Sequence, residues 1–305
     1  MARLWLHIGA PKSATTTLQR FLTNHRDQLS AKGLTYVSPQ GRTSSNPVAV
    51  AINRTRTAEI AALSADLGRQ INSADGDCII SSEMFFGIPP GALKQVLTDM
   101  TPETTQVIVY LRRQDIYLEA KYMQKVKNGR FAGSIHDYIK KFDGSGADYM
   151  SVLSPWMDEG YTVQARILED SKMVGGSVIS DLMAVCGLDQ QPDEAVEQEA
   201  ANRSPSLERL QLLQILKTLG VKKINRIQRS LPQSSGPKAK FFTAEERGQI
   251  LAQYAACNAA LHKQFFAHLD DVFDESDLDE LDTPENQAFS QAQLAEIESV
   301  MRAVL

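Results

Sequence analysis

The residues Leu4 to Leu18, LWLHIGAPKSATTTL, constrain this chain more than any other stretch. A short apolar run, Leu4 to Ile8, leads straight into Gly9 and then Pro11-Lys12-Ser13-Ala14-Thr15-Thr16, after which apolar residues recur at helical spacing. That order is strand, tight turn, helix start. The first turn of a helix presents backbone N–H groups with no intrahelical partner, the helix dipole adds positive potential there, and Lys12 adds a full charge. Such a turn holds anions. A nucleoside triphosphate loop needs GxxxxGK followed by Ser or Thr; here Lys12 follows Gly9 by three positions, and Ala14 stands where a second glycine is expected.

Two further stretches belong with this one. Val107 to Leu111 is a continuous apolar run suited to a buried parallel strand, and Arg112 and Arg113 arrive where it ends. Cys78 to Ile80 is a second such run, ending in Ser81-Ser82-Glu83. Strands and helical segments alternate between them, the pattern of a parallel sheet with helices on its faces, and in open α/β sheets ligands gather at the carboxyl ends of the strands. A carboxylate at such an end, Glu83, is placed to act as a base.

The segment PKSATTTLQ resembles the 5′-phosphosulfate loop of sulfotransferases, written PKSGTTxL or PKTGTTxLQ. The chain is closest to bacterial sulfotransferase-like proteins. The resemblance follows most of the chain in order and is sharp in three stretches: Pro11 to Gln19, Ser81-Ser82-Glu83, and Arg112 with the helix after it. It implies a P-loop-like three-layer α/β fold with a mainly parallel central sheet and a helix-rich C-terminal third. It also implies an enzyme that moves the sulfuryl group of 3′-phosphoadenosine-5′-phosphosulfate (PAPS) to an acceptor hydroxyl or amine, releasing PAP. On this resemblance Pro11, Lys12, Ser13, Ala14, Thr15, Thr16 and Thr17 hold the 5′ side of the donor, and Arg112 and position 120 meet its 3′-phosphate. Lys238 and Lys240 stand in the loop that closes over that phosphate, and Lys12 and Glu83 are the catalytic pair.

This sequence departs from the family pattern at Ala14, which replaces a glycine and is tolerable if it is already helical, and at Ala120, which lacks a serine hydroxyl. Arg113 and Lys121 are the expected substitute donors. The acceptor is a small molecule or a glycan, with a carbohydrate hydroxyl the first choice because the base is Glu rather than His. Two alternatives share these features. A nucleotide-dependent P-loop kinase has the same strand, loop and helix but a different lysine spacing, and a non-catalytic PAP- or PAPS-binding member is compatible with the missing serine.

With 305 residues, 43% of them hydrophobic and 23% charged, the chain can bury a full core. It has no run of 18 apolar residues and no charged-then-apolar leader, so a cytoplasmic protein without a membrane span is expected. Cys78, Cys186 and Cys257 lack metal-ligand spacing, and no carboxylate pair suggests a cation site, so no metal is expected. A formal charge of -5 conceals a basic segment from Lys222 to Arg247 and an acidic one from Asp270 to Asp282. No aromatics interleave with the lysines, which argues against nucleic acid. Expected bounds are an α/β domain over 1–269, an acidic linker over 270–289 and an amphipathic helix over 290–305. Leu294, Ile297, Met301 and Val304 of that helix would dock on the chain itself or on a second copy in a homo-oligomer. Single helices are expected from Thr15 to about Gly33 and, opened by a Thr243/Glu246 capping box, from there to about His268.

Overall fold

The computed structural model describes residues 2–144, 146–188, 206–231, 240–278 and 299. The chain divides into two compact units: one of residues 1–112, 148–200 and 256–273, the other of 113–147, 201–255 and 274–305. The expected linker at 270–278 contains packed residues, since Val272 and Phe273 are buried in the core of the first unit. The remainder of the linker and the C-terminal helix lie outside the described residues, apart from Ser299.

The first unit is built on a five-stranded parallel sheet: β1 (Leu4–His7), β2 (Leu34–Tyr36), β3 (Asp77–Ser81), β4 (Thr105–Leu111) and β5 (Thr162–Ile167), in the order β2-β3-β1-β4-β5. Leu6 sits between Ile80 on one side and Val107 on the other. Alternation along each strand then divides the core in two. Leu4, Leu6 and Ile8 with Cys78, Ile80, Val107, Val109 and Leu111 form one buried cluster, shared with helices α3 (Asn46–Asn53), α4 (Thr57–Asn72), α5 (Pro90–Leu93) and α8 (Tyr149–Asp158). Trp5, Ile79, Ile108 and Tyr110 form the other, under α1 (Thr15–Asn24), α2 (Arg26–Ala31) and α9 (Val178–Val185). Because helices cover both faces, the strands read as unbroken apolar runs. The architecture is the expected three-layer α/β fold with a parallel sheet.

The helix expected from Thr15 to Gly33 is two. It breaks at His25, whose backbone leaves helical geometry at φ -112° and ψ 22°. The His25 ring stacks on Phe21 at 4.7 Å, and both its Nδ1–H and its backbone N–H donate to the Phe21 carbonyl, each at 3.0 Å. The second expected helix also stops early. Its capping box is present, but the helix Ala244–Gln253 ends at Tyr254, and a new helix, Ala255–Leu261, follows where the chain passes from the second unit to the first.

One polar group interrupts β1. His7 is fully buried on the α1 side of the sheet, with Nδ1 2.8 Å from Ser81 Oγ, which also accepts from Gln19 Nε2 at 3.2 Å. Its Nε2 has no partner among the described residues. Nearby on the same face, Asp181 accepts from Tyr110 Oη at 2.9 Å and from Arg166 Nε at 2.9 Å.

The second unit is helical. Helix α6 (Gln114–Lys127) packs with α7 (Ile135–Lys140) and with the helices Leu207–Thr218, Ile224–Ser230 and Ala244–Gln253 around Tyr117, Tyr122, Leu210, Leu213, Phe242 and Ile250. A buried ion network ties the start of α6 to this bundle. Asp115 accepts from Arg113 Nε at 2.8 Å and from Arg247 Nη1 at 2.5 Å; Arg247 Nη2 donates to Glu119 at 2.7 Å. Burial opposes ionisation of Asp115, but the two guanidinium groups outweigh it and hold its carboxyl below the usual range. Arg247, the last cation of the basic segment, has both terminal nitrogens engaged here. No helix among the described residues is long and apolar enough to cross a membrane.

Two outcomes follow from these buried groups. Burial lowers the His7 pKa to about 4, so the folded state binds fewer protons than the unfolded chain, whose histidine titrates near about 6.5. Its contribution to stability is complete above about pH 6.5 and is lost as the pH falls through about 4, by roughly 3 kcal/mol. Urea unfolding near neutral pH and near pH ~4.5 should show a smaller loss in His7→Gln than in the parent. Arg247→Met, which removes the cation paired with buried Glu119 and leaves Asp115 with Arg113 alone, should cost about 3–5 kcal/mol in the same measurement.

Candidate active site

The chain leaves the carboxyl end of the central strand β1 through a turn with three residues in left-handed backbone: Gly9 at φ 53°, Lys12 at φ 71° and Ala14 at φ 55°. Gly9 has room for nothing larger. A Cβ built there would lie 2.7 Å from Thr15 Cγ2 and 3.0 Å from Glu83 Cα. Ser13 N–H donates to the Ala10 carbonyl at 3.1 Å, and the first helical bond runs from Leu18 N–H to the Ala14 carbonyl. Between them the N–H groups of Ala14, Thr15, Thr16 and Thr17 have no partner among the described residues, and α1 has no side-chain cap. Ser13 Oγ is also buried without a partner. Four free amides and an orphaned hydroxyl at one helix start fit a multiply charged oxyanion such as a phosphosulfate.

Ala14 does not meet the condition under which its replacement of glycine would be tolerable, since it is not helical. It is the N-cap residue of α1, at φ 55° and ψ 16°, a backbone that a Cβ disfavours by roughly 1–2 kcal/mol. The turn therefore keeps the shape a glycine would give it.

Glu83 lies just beyond β3, next to β1 in the sheet, and is half-buried. Its Oε2 accepts from Thr15 Oγ1 at 3.3 Å, so the first residue of α1 and the carboxylate are in contact. The chain before it is fixed. Ser82 N–H donates to the His7 carbonyl at 3.1 Å, and Ser82 Oγ donates to Asn46 Oδ1 at 2.6 Å while accepting from Met84 N–H at 3.2 Å. Asn46 opens α3, and Ser45 N–H before it donates to the Ser81 carbonyl at 2.8 Å.

Arg112 ends β4, on the other side of β1. Its backbone carbonyl accepts from Tyr149 Oη at 2.5 Å, while its guanidinium has no hydrogen-bond or ion-pair partner among the described residues. Burial lowers its pKa, the mark of a desolvated cation. Arg113 is the opposite case. All five of its N–H donors are engaged, by both oxygens of Asp115, both of Asp277, and the Asp274 carbonyl. Arg113 therefore has no donor left for a phosphate and is not a substitute for the missing serine. Lys121 also has other contacts: its ammonium stands 5.1 Å from the Tyr117 ring and 4.9 Å from that of Phe142.

The loop residues Pro11 to Thr17, Glu83 and Arg112 thus gather at neighbouring strand ends of the first unit. Thr16 faces solvent, and Lys12 is half-buried. Ala120 belongs to the second unit, buried in its apolar cluster, and Lys240 of that unit is exposed. Lys238 lies outside the described residues. Sequence reasoning missed His7 and gave Gln19 and Ser82 no role beyond their place in the quoted stretches. A histidine in an otherwise apolar strand, on the Trp5 side by alternation, was a signal for the first.

No protein-family model matches the chain. An uncharacterized protein of Archaeoglobus fulgidus is 28% identical over 205 residues, 62% of this chain and 53% of that protein. The chain thus spans about half the length of the curated relative it matches. A solved sulfotransferase from Alicyclobacillus acidocaldarius superimposes with a TM-score of 0.40 at 14% identity, covering 74% of this chain and 97% of that one.

The backbone of the turn is directly testable. Ala14→Gly should stabilise the protein by about 1 kcal/mol and raise Tm by about 2 °C, and Gly9→Ala should lower Tm by more than that. Calorimetry of both variants would check the assigned conformations.

Proposed function

We propose that the chain is a sulfotransferase that takes the sulfuryl group of PAPS to an acceptor hydroxyl or amine and releases PAP. The observation that carries this reading is the Thr15–Glu83 hydrogen bond of 3.3 Å, which sets a carboxylate against the helix start whose free amides favour an oxyanion. A base beside an anion site is what attack by a protonated acceptor on a bound, negatively charged donor requires. The sequence resemblance of PKSATTTLQ to the phosphosulfate loop gives the anion its identity.

The donor supplies an activated sulfuryl group. The amides of residues 14 to 17 and Ser13 Oγ hold its 5′-phosphosulfate end, and Lys12 neutralises charge that grows on the bridging oxygen as the bond to sulfur breaks. Arg112, partly desolvated and without a carboxylate partner among the described residues, reads the 3′-phosphate. Glu83 accepts the acceptor proton through a carboxylate held by Thr15. Positioning and fixed positive charge supply most of the acceleration in such a transfer.

Thermal-shift titration with PAP, AMP, and ATP with Mg²⁺ tests the reading. PAP at about a hundredfold excess over its Kd should stabilise by about 2.7 kcal/mol, and AMP at equal concentration by much less. Arg112→Ala should abolish that preference, and Lys12→Ala should lower turnover by roughly 10²-fold. A response to ATP with Mg²⁺ alone would make the chain a kinase instead.

A further inference from the structure

Strands β2, β3 and β1 are parallel neighbours, so the turn after β2 leaves the same edge of the sheet as Glu83 after β3 and the loop after β1. Within the first unit, a cavity of about 300 Å³ lies between that turn, the start of α3 and the first half of α4. At roughly 30 Å³ per water molecule it has room for about ten waters, which suits a small ligand rather than a polymer. Pro39, Pro47, Ala62 and Leu63 supply its apolar walls.

The turn is firmly held. Arg26 donates to the Tyr36 carbonyl at 2.8 Å and to the Arg42 carbonyl at 3.0 Å, Tyr36 Oη donates to the Thr43 carbonyl at 2.7 Å, and Gln70 Nε2 donates to the Ser38 carbonyl at 3.1 Å. Gln40, which also lines the cavity, is in left-handed backbone at φ 51°, and its N–H donates to Asp66 Oδ2 at 2.9 Å. Such backbone in a residue other than glycine persists where its surroundings impose it, and it gathers at ligand clamps. Walls of this kind lose little freedom when a ligand enters.

The charges of the lining are unequally occupied. Glu59 accepts from Arg56 Nη1 at 2.8 and 3.2 Å, and Asp66 accepts from Gln70 Nε2 at 3.2 Å and Arg69 Nη2 at 3.3 Å besides the Gln40 amide. Arg42 is the remaining charged group, and its guanidinium has no hydrogen-bond or ion-pair partner among the described residues. A ligand with an apolar body and one carboxylate, gripped by a pair of Arg42 N–H donors, complements this lining. The cavity is also tied to the base. Asn46, next to the wall residue Pro47, accepts from Ser82 Oγ at 2.6 Å, one residue before Glu83.

We propose that this cavity binds a small hydroxy acid with an apolar body, and that this ligand is the acceptor of the transfer. The acceptor role rests on the sulfotransferase reading, whereas the binding does not. In the transfer, the ligand's hydroxyl oxygen bonds to the sulfur of PAPS as the bond from sulfur to the bridging oxygen breaks. PAP leaves with that electron pair, and the hydroxyl proton passes to Glu83.

Calorimetric titration of the full chain with 3-(4-hydroxyphenyl)propanoate is the test, beside its neutral methyl ester, the cationic tyramine, and glucuronate, an acid without an apolar body. The propanoate should bind in the millimolar range or tighter, and each of the others about tenfold or more weakly. Arg42→Glu removes the cation, and Ala62→Trp fills the cavity from an exposed position on α4. Each should lose about tenfold or more in affinity for the propanoate while keeping the parent's Tm and PAP-induced shift. With PAPS added, mass spectrometry should show the sulfate ester of the propanoate. Equal affinity of parent and both variants, or binding of the ester, tyramine or glucuronate as tight as that of the propanoate, would overturn the proposal. A PAP shift without propanoate binding would overturn it and keep the donor reading, and binding of both with no ester formed would overturn the acceptor role. Propanoate binding through Arg42 and the cavity in a chain that shows no PAP shift would overturn the donor reading and keep the ligand site.

Discussion

Strand β1, at the centre of the sheet, is hydrogen-bonded on both edges and covered on both faces, and it is at its end that the first unit leaves backbone amides open toward a ligand. Gly9 turns the chain against Thr15 and Glu83 with no space for a Cβ, and Lys12 and Ala14 follow in left-handed backbone. That geometry delivers the first turn of α1 with its amides unpaired. Ala14 maintains it without the freedom of glycine, at the expense of some stability. Strain of this kind persists where the surrounding structure fixes it, and here the fully buried Leu6 and Ile8 of the core and the bond from Ser82 to His7 do so.

The two adjacent arginines after β4 illustrate how environment separates identical side chains. Arg113 is saturated by carboxylates and a carbonyl, which makes it a structural ion of the helical unit. Arg112 is partly buried with no counter-ion among the described residues, a costly state that an anionic ligand would relieve. Charge is handled the same way on the larger scale. Asp115, Glu119 and Arg247 neutralise one another inside the second unit.

Much of the fold was legible. Continuous apolar runs at Leu4, Cys78 and Val107 could only be strands buried on both faces, and the Thr243–Glu246 capping box marked a helix start that the structure has. Helix ends were less legible. His25 and Tyr254 break their helices through a side-chain bond to a carbonyl and through a passage between units, neither of which alters the apolar period. Within the site, the loop was readable because Lys12 and its neighbours are consecutive. The contact between Thr15 and Glu83, residues 68 apart, was not.

The order of residues along the chain by itself determined the three central strands, the turn after the first of them and the positions of Lys12, Glu83 and Arg112 at strand ends, because apolar runs and spacing are local properties. Tertiary structure decided which arginine has its donors engaged, that Ala14 is left-handed rather than helical, that His7 is buried and that Gly129 packs against Ile224. Each of these depends on which groups are brought within a few ångströms across long stretches of chain, and hydrogen bonding, desolvation and Coulomb attraction act at that range.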